Sequence, residues 1–164
     1  MSQNRVRFNR GLGVKIDSIS REAPVLVAGP TASGKSALAL ELAARDGRTI
    51  VNADALQVYE NWRILTARPS PEDEAALPHA LYGHVGRDQG YSVGHWLRDV
   101  TPFLAQSVVV VGGTGLNFTA LTRGLAEIPG IPAHVRSEAN RRMQDEGRLA
   151  LLADLDAATR ARID

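Results

Sequence analysis

Apolar and polar positions change rhythm several times along this chain, and each change marks an element. Val25-Leu26-Val27-Ala28 is a short unbroken apolar run closed by Gly29, the pattern of a buried strand. From Lys35 to Arg45 the spacing becomes helical, with Leu38 and Leu42 four apart and Ala39 and Ala43 beside them. Thr49-Ile50-Val51 predicts a second strand ending near Asn52 to Asp54. Pro69, Pro71 and Pro78 punctuate a loop-rich middle, whose Glu72-Asp73-Glu74 run reads as a solvated acidic stretch. Val93 to Ala105 is helical in pattern, with Pro102 as its breaker. Val108 to Val111, four β-branched residues ended by Gly112-Gly113, is the clearest strand. Strands that are apolar throughout and alternate with helices predict an α/β fold, a parallel sheet covered on both faces.

Beyond Pro129 only helical patterns remain. Pro132 suits a first helical position, and Val135, Ala139 and Met143 form a stripe at four-residue spacing that Gly147 can end. Leu149, Leu152 and Leu155 begin further helical packing, which reaches Asp164 without a capping residue, so the chain is expected to stop inside an element. The pattern therefore predicts a basic, disordered leader over 1–23, an α/β core over 24–129 and a helical segment over 130–164.

Composition removes several classes of function. Of 164 residues, 44% are hydrophobic and 23% charged, which is an ordinary globular balance. The absence of cysteine excludes disulfides, thiolate metal sites and cysteine nucleophiles. No apolar run approaches the length of a membrane span. The leader carries Arg5, Arg7, Arg10, Lys15 and Arg21 but lacks the apolar core of a secretory signal, so a cytoplasmic protein is expected. With 19 basic against 18 acidic residues, the net charge of +1 gives the whole chain no nucleic-acid footprint. Lysine occurs only at positions 15 and 35.

One of those two lysines falls inside Gly29-Pro30-Thr31-Ala32-Ser33-Gly34-Lys35-Ser36, a match to G-x-x-x-x-G-K-[ST] between a predicted strand and a predicted helix. Glycines let the backbone curl so that several N–H groups face one anion, and the helix N-terminus adds partial positive charge. Lys35 supplies a full mobile charge, and the Ser36 hydroxyl can ligate Mg²⁺. The expected fold is thus P-loop NTPase-like. The motif identifies a phosphate or diphosphate site without fixing a reaction: a nucleoside triphosphate is the usual ligand, but any diphosphate ester satisfies the same donors.

Asp54 follows the second strand, where strand ends border the ligand crevice of an open α/β sheet. It can serve as a base, as a Mg²⁺ partner, or as a turn carboxylate bonding local N–H groups. Gly112-Gly113-Thr114-Gly115 ends the valine strand and can either reach the same crevice or simply turn the chain. Arg136, Arg141, Arg142 and Arg148 are interleaved with Glu138, Asp145 and Glu146, a mixed-sign pattern typical of a solvated helix face. His79, His84, His95 and His134 lack metal-ligand spacing and are read as non-catalytic. Tyr59, Tyr82, Tyr91, Trp62 and Trp96 are read as packing residues rather than a base-stacking platform.

Taken together, six blocks resemble the tRNA dimethylallyltransferase (isopentenyltransferase) family: GPTASGKS at 29–36, NADALQVY at 52–59, ILTARPS at 64–70, PHALYGHV at 78–85, YSVGHW at 91–96 and VVVVGGTGLNFTALTRGLAEIP at 108–129. The resemblance covers about residues 24–164. It implies transfer of a dimethylallyl group from dimethylallyl diphosphate to the exocyclic amine of the adenosine 3′ of a tRNA anticodon, with Mg²⁺, by a monomeric enzyme. In such an enzyme the loop 29–36 holds the prenyl diphosphate, Asp54 is the general base and Thr31 donates to the bridging oxygen. The family's tRNA contacts fall on Asp54, Ala55, Leu56, Gln57, Thr114 and Arg136, with the anticodon stem-loop as partner. Ala55 stands where the family usually has serine, and Asn117 where it has tyrosine. The family is about twice as long, which makes 130–164 the opening part of an inserted helical tRNA-binding domain that ends before a second arginine-bearing block. Three other readings share the phosphate loop: an adenylate isopentenyltransferase, a small-molecule P-loop kinase, and a diphosphate-binding fragment without turnover.

Overall fold

The computed structural model describes residues 16–126 and 130–163. The strands are β1 (Val25–Ala28), β2 (Thr49–Asn52), β3 (His79–Ala80) and β4 (Val108–Gly112). They form one all-parallel sheet in the order β1-β4-β2-β3. The helices of the same unit are α1 (Lys35–Asp46), α2 (Pro71–Ala76), α3 (Val93–Val100) and α4 (Gly115–Arg123). The chain divides into two compact units between Leu125 and Ala126.

Period-two alternation in the strands feeds two cores. Val27, Ile50, Val109 and Val111 turn to one face and bury against Ala39, Leu42 and Ala43 of α1. Val51, Ala53, Val108 and Val110 turn to the other and bury against Trp96 and Val100 of α3, with Phe118 and Leu121 of α4 at the margin. All five residues of β4 are buried, as expected for a central parallel strand. The expectation of a buried strand holds less well for β1, where Leu26 is 40% exposed. Within the described sheet β1 is an edge strand, with β4 as its neighbour.

The loop-rich middle contains two elements that the pattern did not predict. Ser70 and Asp73 form a reciprocal capping box around Pro71, so the acidic run becomes the first turn of α2 rather than a merely solvated stretch. β3 is only two residues long, too short for any periodicity, and is defined by its pairing with β2. In the third helix, α geometry stops at Val100 and a 3₁₀ turn, Thr101–Ala105, takes over at Pro102, which has no N–H to continue the ladder.

Residues 16–23 are not loose, unlike the expectation for the leader; residues 1–15 lie outside the described residues. Arg48 is fully buried and donates to the carbonyls of Ser20, Ala23 (2.7 Å) and Val108 (3.2 Å), while Arg45 donates to the carbonyls of Ile16 and Ile19. Both guanidinium groups close on Asp46, at 2.6 Å from Arg45 and 2.9 Å from Arg48. One carboxylate thus neutralises two cations that bind backbone from two segments, residues 16–23 and β4.

The second unit holds α5 (Ala133–Asp145), α6 (Gly147–Ala153) and α7 (Ala157–Arg160). Gly147 has a φ of 80°, so it interrupts the helical run as expected, but it also opens α6. No residue of these three helices is buried, and Val135 and Met143 of the stripe are about half exposed.

The Arg45 and Arg48 contacts hold the Asp46 carboxyl well below its usual pKa, chiefly through the Arg45 hydrogen bond. Such a group stabilises the fold above the unfolded carboxylate pKa of about 4, and the contribution fades as pH falls below it. Asp46→Asn should therefore lower the urea midpoint at neutral pH, and the gap from the parent should narrow steadily below about pH 4. A gap that stays constant down to acid pH would contradict this.

Candidate functional site

The loop 29–36 leaves the sheet where Gly29 N–H meets the Gly112 carbonyl of β4 at 3.4 Å. Two left-handed residues then curl it, Ala32 at φ 62° and Gly34 at φ 83°, and Ser33 N–H closes a turn on the Pro30 carbonyl at 3.3 Å. Gly34 is the N-cap of α1 and offers no side chain, so the first amides of the helix are left for an anion. The Lys35 ammonium arches back along the loop to the Pro30 carbonyl at 3.1 Å. Thr31 and Ser36 are exposed on this rim.

Asp54 follows β2 on a backbone fixed from four sides. Ala53 N–H donates to the Val111 carbonyl at 2.8 Å. The Asn52 amide accepts from Asp54 N–H at 2.9 Å and donates to the Asp54 and Leu81 carbonyls at 3.0 and 3.1 Å. Trp96 on α3, itself buried, donates its indole N–H to the Asn52 carbonyl at 2.7 Å. From α4, Asn117 donates to the Ala53 carbonyl at 3.2 Å, and the Thr114 hydroxyl accepts Ala55 N–H at 2.9 Å. Gly112 makes this approach possible, since a Cβ there would collide with the Ala53 and Asp54 backbone. None of the roles of Asn52, Trp96 and Gly112 shows in the chain pattern.

The carboxylate itself divides its work. Its Oδ1 accepts Leu56 N–H at 2.9 Å, the turn role left open by the sequence. Its Oδ2 and the Gly29 carbonyl, at the start of the phosphate loop, border one space beside Gly113: a Cβ there would lie 3.5 Å from the first and 3.6 Å from the second. Gly113 therefore separates base candidate from phosphate loop by the width of a missing side chain.

The remaining expected contacts are placed as follows. Ala55 and Leu56 are exposed beside Asp54. Gln57 donates to the Thr66 and Ala67 carbonyls at 2.8 and 3.3 Å, so its amide braces the 62–70 loop. Arg136 lies on α5 of the second unit. In that unit Arg141 pairs with Glu138 and Asp145, and Arg142 with Glu146 and Asp154, whereas Arg136 has no ion pair among the described residues. Trp62 departs from the packing role expected of it: it is 55% exposed, at a φ of 61°.

A sequence model described as IPP transferase matches residues 57–164, and one described as isopentenyl transferase matches 23–78. The chain belongs to the IPP transferase family. It is 61% identical over 152 residues to a tRNA dimethylallyltransferase of Dinoroseobacter shibae, with 91% of this chain and 51% of the relative covered. A tRNA dimethylallyltransferase of Jannaschia sp. strain CCS1 is 59% identical over 151 residues, covering 92% and 52%. The chain thus spans about half the length of the relatives it matches. Among solved structures, the full-length tRNA isopentenylpyrophosphate transferase of Bacillus halodurans superposes with a TM-score of 0.62 at 27% identity, covering 87% of this chain and 50% of that one. A eukaryotic dimethylallyltransferase acting on tRNA shares the fold, with a TM-score of 0.65 at 20% identity. The α/β unit accordingly has the P-loop NTPase-like fold that the phosphate loop led us to expect.

Trp96→Phe keeps the ring in the core but deletes the donor to the Asn52 carbonyl. Leaving that buried acceptor unmet should cost about 1–2 kcal/mol in urea unfolding. An unchanged midpoint would remove Trp96 from the brace that holds Asp54.

Proposed function

We propose that the protein of which this chain is part transfers a dimethylallyl group from dimethylallyl diphosphate to the exocyclic amine of an adenosine in the tRNA anticodon region. The observation that carries this reading is the juxtaposition of Asp54 Oδ2 and the phosphate loop on either side of Gly113. A carboxylate there is placed to take the proton that an amine nucleophile must lose in prenyl transfer. The tRNA dimethylallyltransferase relatives, which match over nine-tenths of this chain, support the same assignment.

The chemistry follows from the residues. The lone pair of an adenine amine is delocalised into the ring, so a carboxylate that accepts its proton as the new C–N bond forms lowers the barrier. Asp54 is held rigidly enough for that task. The allylic C–O bond breaks with negative charge developing on the leaving diphosphate. Lys35, the free amides at the start of α1 and the Thr31 hydroxyl offset that charge. Mg²⁺ bound to the diphosphate would supply further Lewis-acid stabilisation. Such an ion would be carried mainly by phosphate oxygens, with the Ser36 hydroxyl as a protein ligand. The target base has to leave its stack to reach such a site. The exposed Ala55 and Leu56, with Gln57, Thr114 and Arg136, are the proposed tRNA contacts. Among the described residues no helix is long and apolar enough to cross a membrane; the cytoplasmic location we propose rests on the tRNA substrate.

Pyrophosphate or dimethylallyl diphosphate with Mg²⁺ should raise the melting temperature of the chain, because either ligand binds the folded state. ATP-dependent phosphorylation of a small acceptor would instead favour a kinase. In a protein of full family length, Asp54→Asn should reduce prenyl transfer about 10²–10⁴-fold while diphosphate affinity stays similar or rises. Lys35→Ala should weaken binding and transfer together. Transfer at the parent rate by Asp54→Asn would refute the base assignment, and loss of diphosphate binding would make Asp54 a metal partner.

A further inference from the structure

A cavity of about 310 Å³ opens beside the phosphate loop, reached by Ser36 from α1 and by Arg68, Ser70, His79 and Tyr82 from the segments around α2 and β3. Its floor is apolar, with Leu40, Ile50 and Val111 among the lining. The Tyr82 hydroxyl is pushed up from its ordinary pKa first by burial and then by the Asp54 charge.

Arg68 is the anomaly in that wall. Its side chain is only 9% exposed, and the guanidinium lies where any side chain on Gly83 would have to go. Nη1 donates to the Tyr59 carbonyl at 3.0 Å and the Glu60 carbonyl at 3.4 Å. The Nε–H is buried and meets no acceptor. Glu74 forms a long ion pair with it, Oε1 lying 4.0 Å from Nε, while Oε2 is engaged by Arg63 at 2.8 Å, so the charge is partly balanced but the Nε–H hydrogen bond stays unmade. The Asp73 carboxylate, which also lines the cavity, is taken by the Ser70 amide and hydroxyl, and His79 Nδ1 is occupied by the Leu77 carbonyl. A buried N–H left without a hydrogen bond is costly, and an anion oxygen in the cavity would complete it.

We propose that Arg68 is a second cation of the diphosphate site, its Nε–H donating to a substrate phosphate oxygen in the cavity it shares with Ser36. The inference rests on the diphosphate reading given above. It gives Lys35 a partner from a different part of the chain: Lys35 meets the anion as a mobile point charge, whereas Arg68, held by the Tyr59 and Glu60 carbonyls, offers one fixed N–H that orients it. As a substrate-binding group in a partly apolar cavity, Arg68 also sets the diphosphate against the surface available to a hydrocarbon tail.

The test is calorimetric titration of the full chain with Mg²⁺-pyrophosphate, comparing the parent with Arg68→Met, Arg68→Lys and Lys35→Met. Arg68→Met keeps the length and apolar stem; it should lower the melting temperature of the ligand-free protein, because the Tyr59 and Glu60 carbonyls lose their donor, and at a temperature where it stays folded it should weaken binding by about tenfold or more. Arg68→Lys should recover part of the affinity. If Lys35→Met loses binding while Arg68→Met stays within about twofold of the parent, the Arg68 role is wrong and the diphosphate reading stands. If neither substitution changes the affinity, both fall together. Should Arg68→Met not fold, the parent alone decides. Its Arg68 Nε–H resonance, identified by its loss in Arg68→Lys, should shift strongly on saturation with Mg²⁺-pyrophosphate, and an unmoved resonance overturns the proposal. Parallel titrations with dimethylallyl diphosphate and ADP separate the two sources of a diphosphate. Dependence on Arg68 for ADP alone would also overturn it.

Discussion

The carboxyl end of β4 is the point on which the site depends. Two successive carbonyls of that strand, Val111 and Gly112, accept the N–H groups of Ala53 and Gly29. The first bond starts the loop that carries Asp54, and the second starts the loop that receives phosphate. Because β4 lies between β1 and β2 and is buried along its whole length, neither acceptor can shift without disturbing the sheet. A base and an anion site that arise in separate loops of the chain are thereby registered to one rigid edge.

Rigidity is distributed unevenly around that edge, in a way that suits the chemistry. Asp54 is braced by Asn52, Trp96, Asn117 and Thr114, so its free oxygen keeps one direction. The phosphate loop is held at its ends and curled by left-handed residues, and its amides adapt to an anion. A proton acceptor gains from fixed geometry, whereas an anion cradle gains from many donors converging. The buried Arg45, Arg48 and Asp46 cluster acts at the opposite, amino-terminal side of β4, through the Val108 carbonyl, and ties residues 16–23 to the core.

Much of the α/β unit was legible because its signals are local. The apolar runs at 25–28 and 108–111 and the spacing of Leu38 and Leu42 report burial directly, and the phosphate loop is a contiguous motif whose backbone geometry its own glycine and helix start enforce. Asp54 was legible as a candidate because it follows a strand, yet its three possible roles could not be ranked. The choice turns on which oxygen faces Leu56 N–H and which faces Gly113, a matter of a few ångströms set by α4 and β4.

What the sequence determined by itself is therefore the parallel α/β class, the positions of the main strands and helices, and an anion site at 29–36, each encoded within a few neighbouring residues. Only the tertiary structure decided the strand order, the edge position of β1, the two-residue β3 and the ordering of 16–23. Only it could reveal that Asn52 and Trp96 hold Asp54, and that Arg68 carries a buried donor beside Ser36. Those features arise between segments distant in the chain, where hydrogen-bond partners and close backbone approaches depend on packing that no local periodicity records.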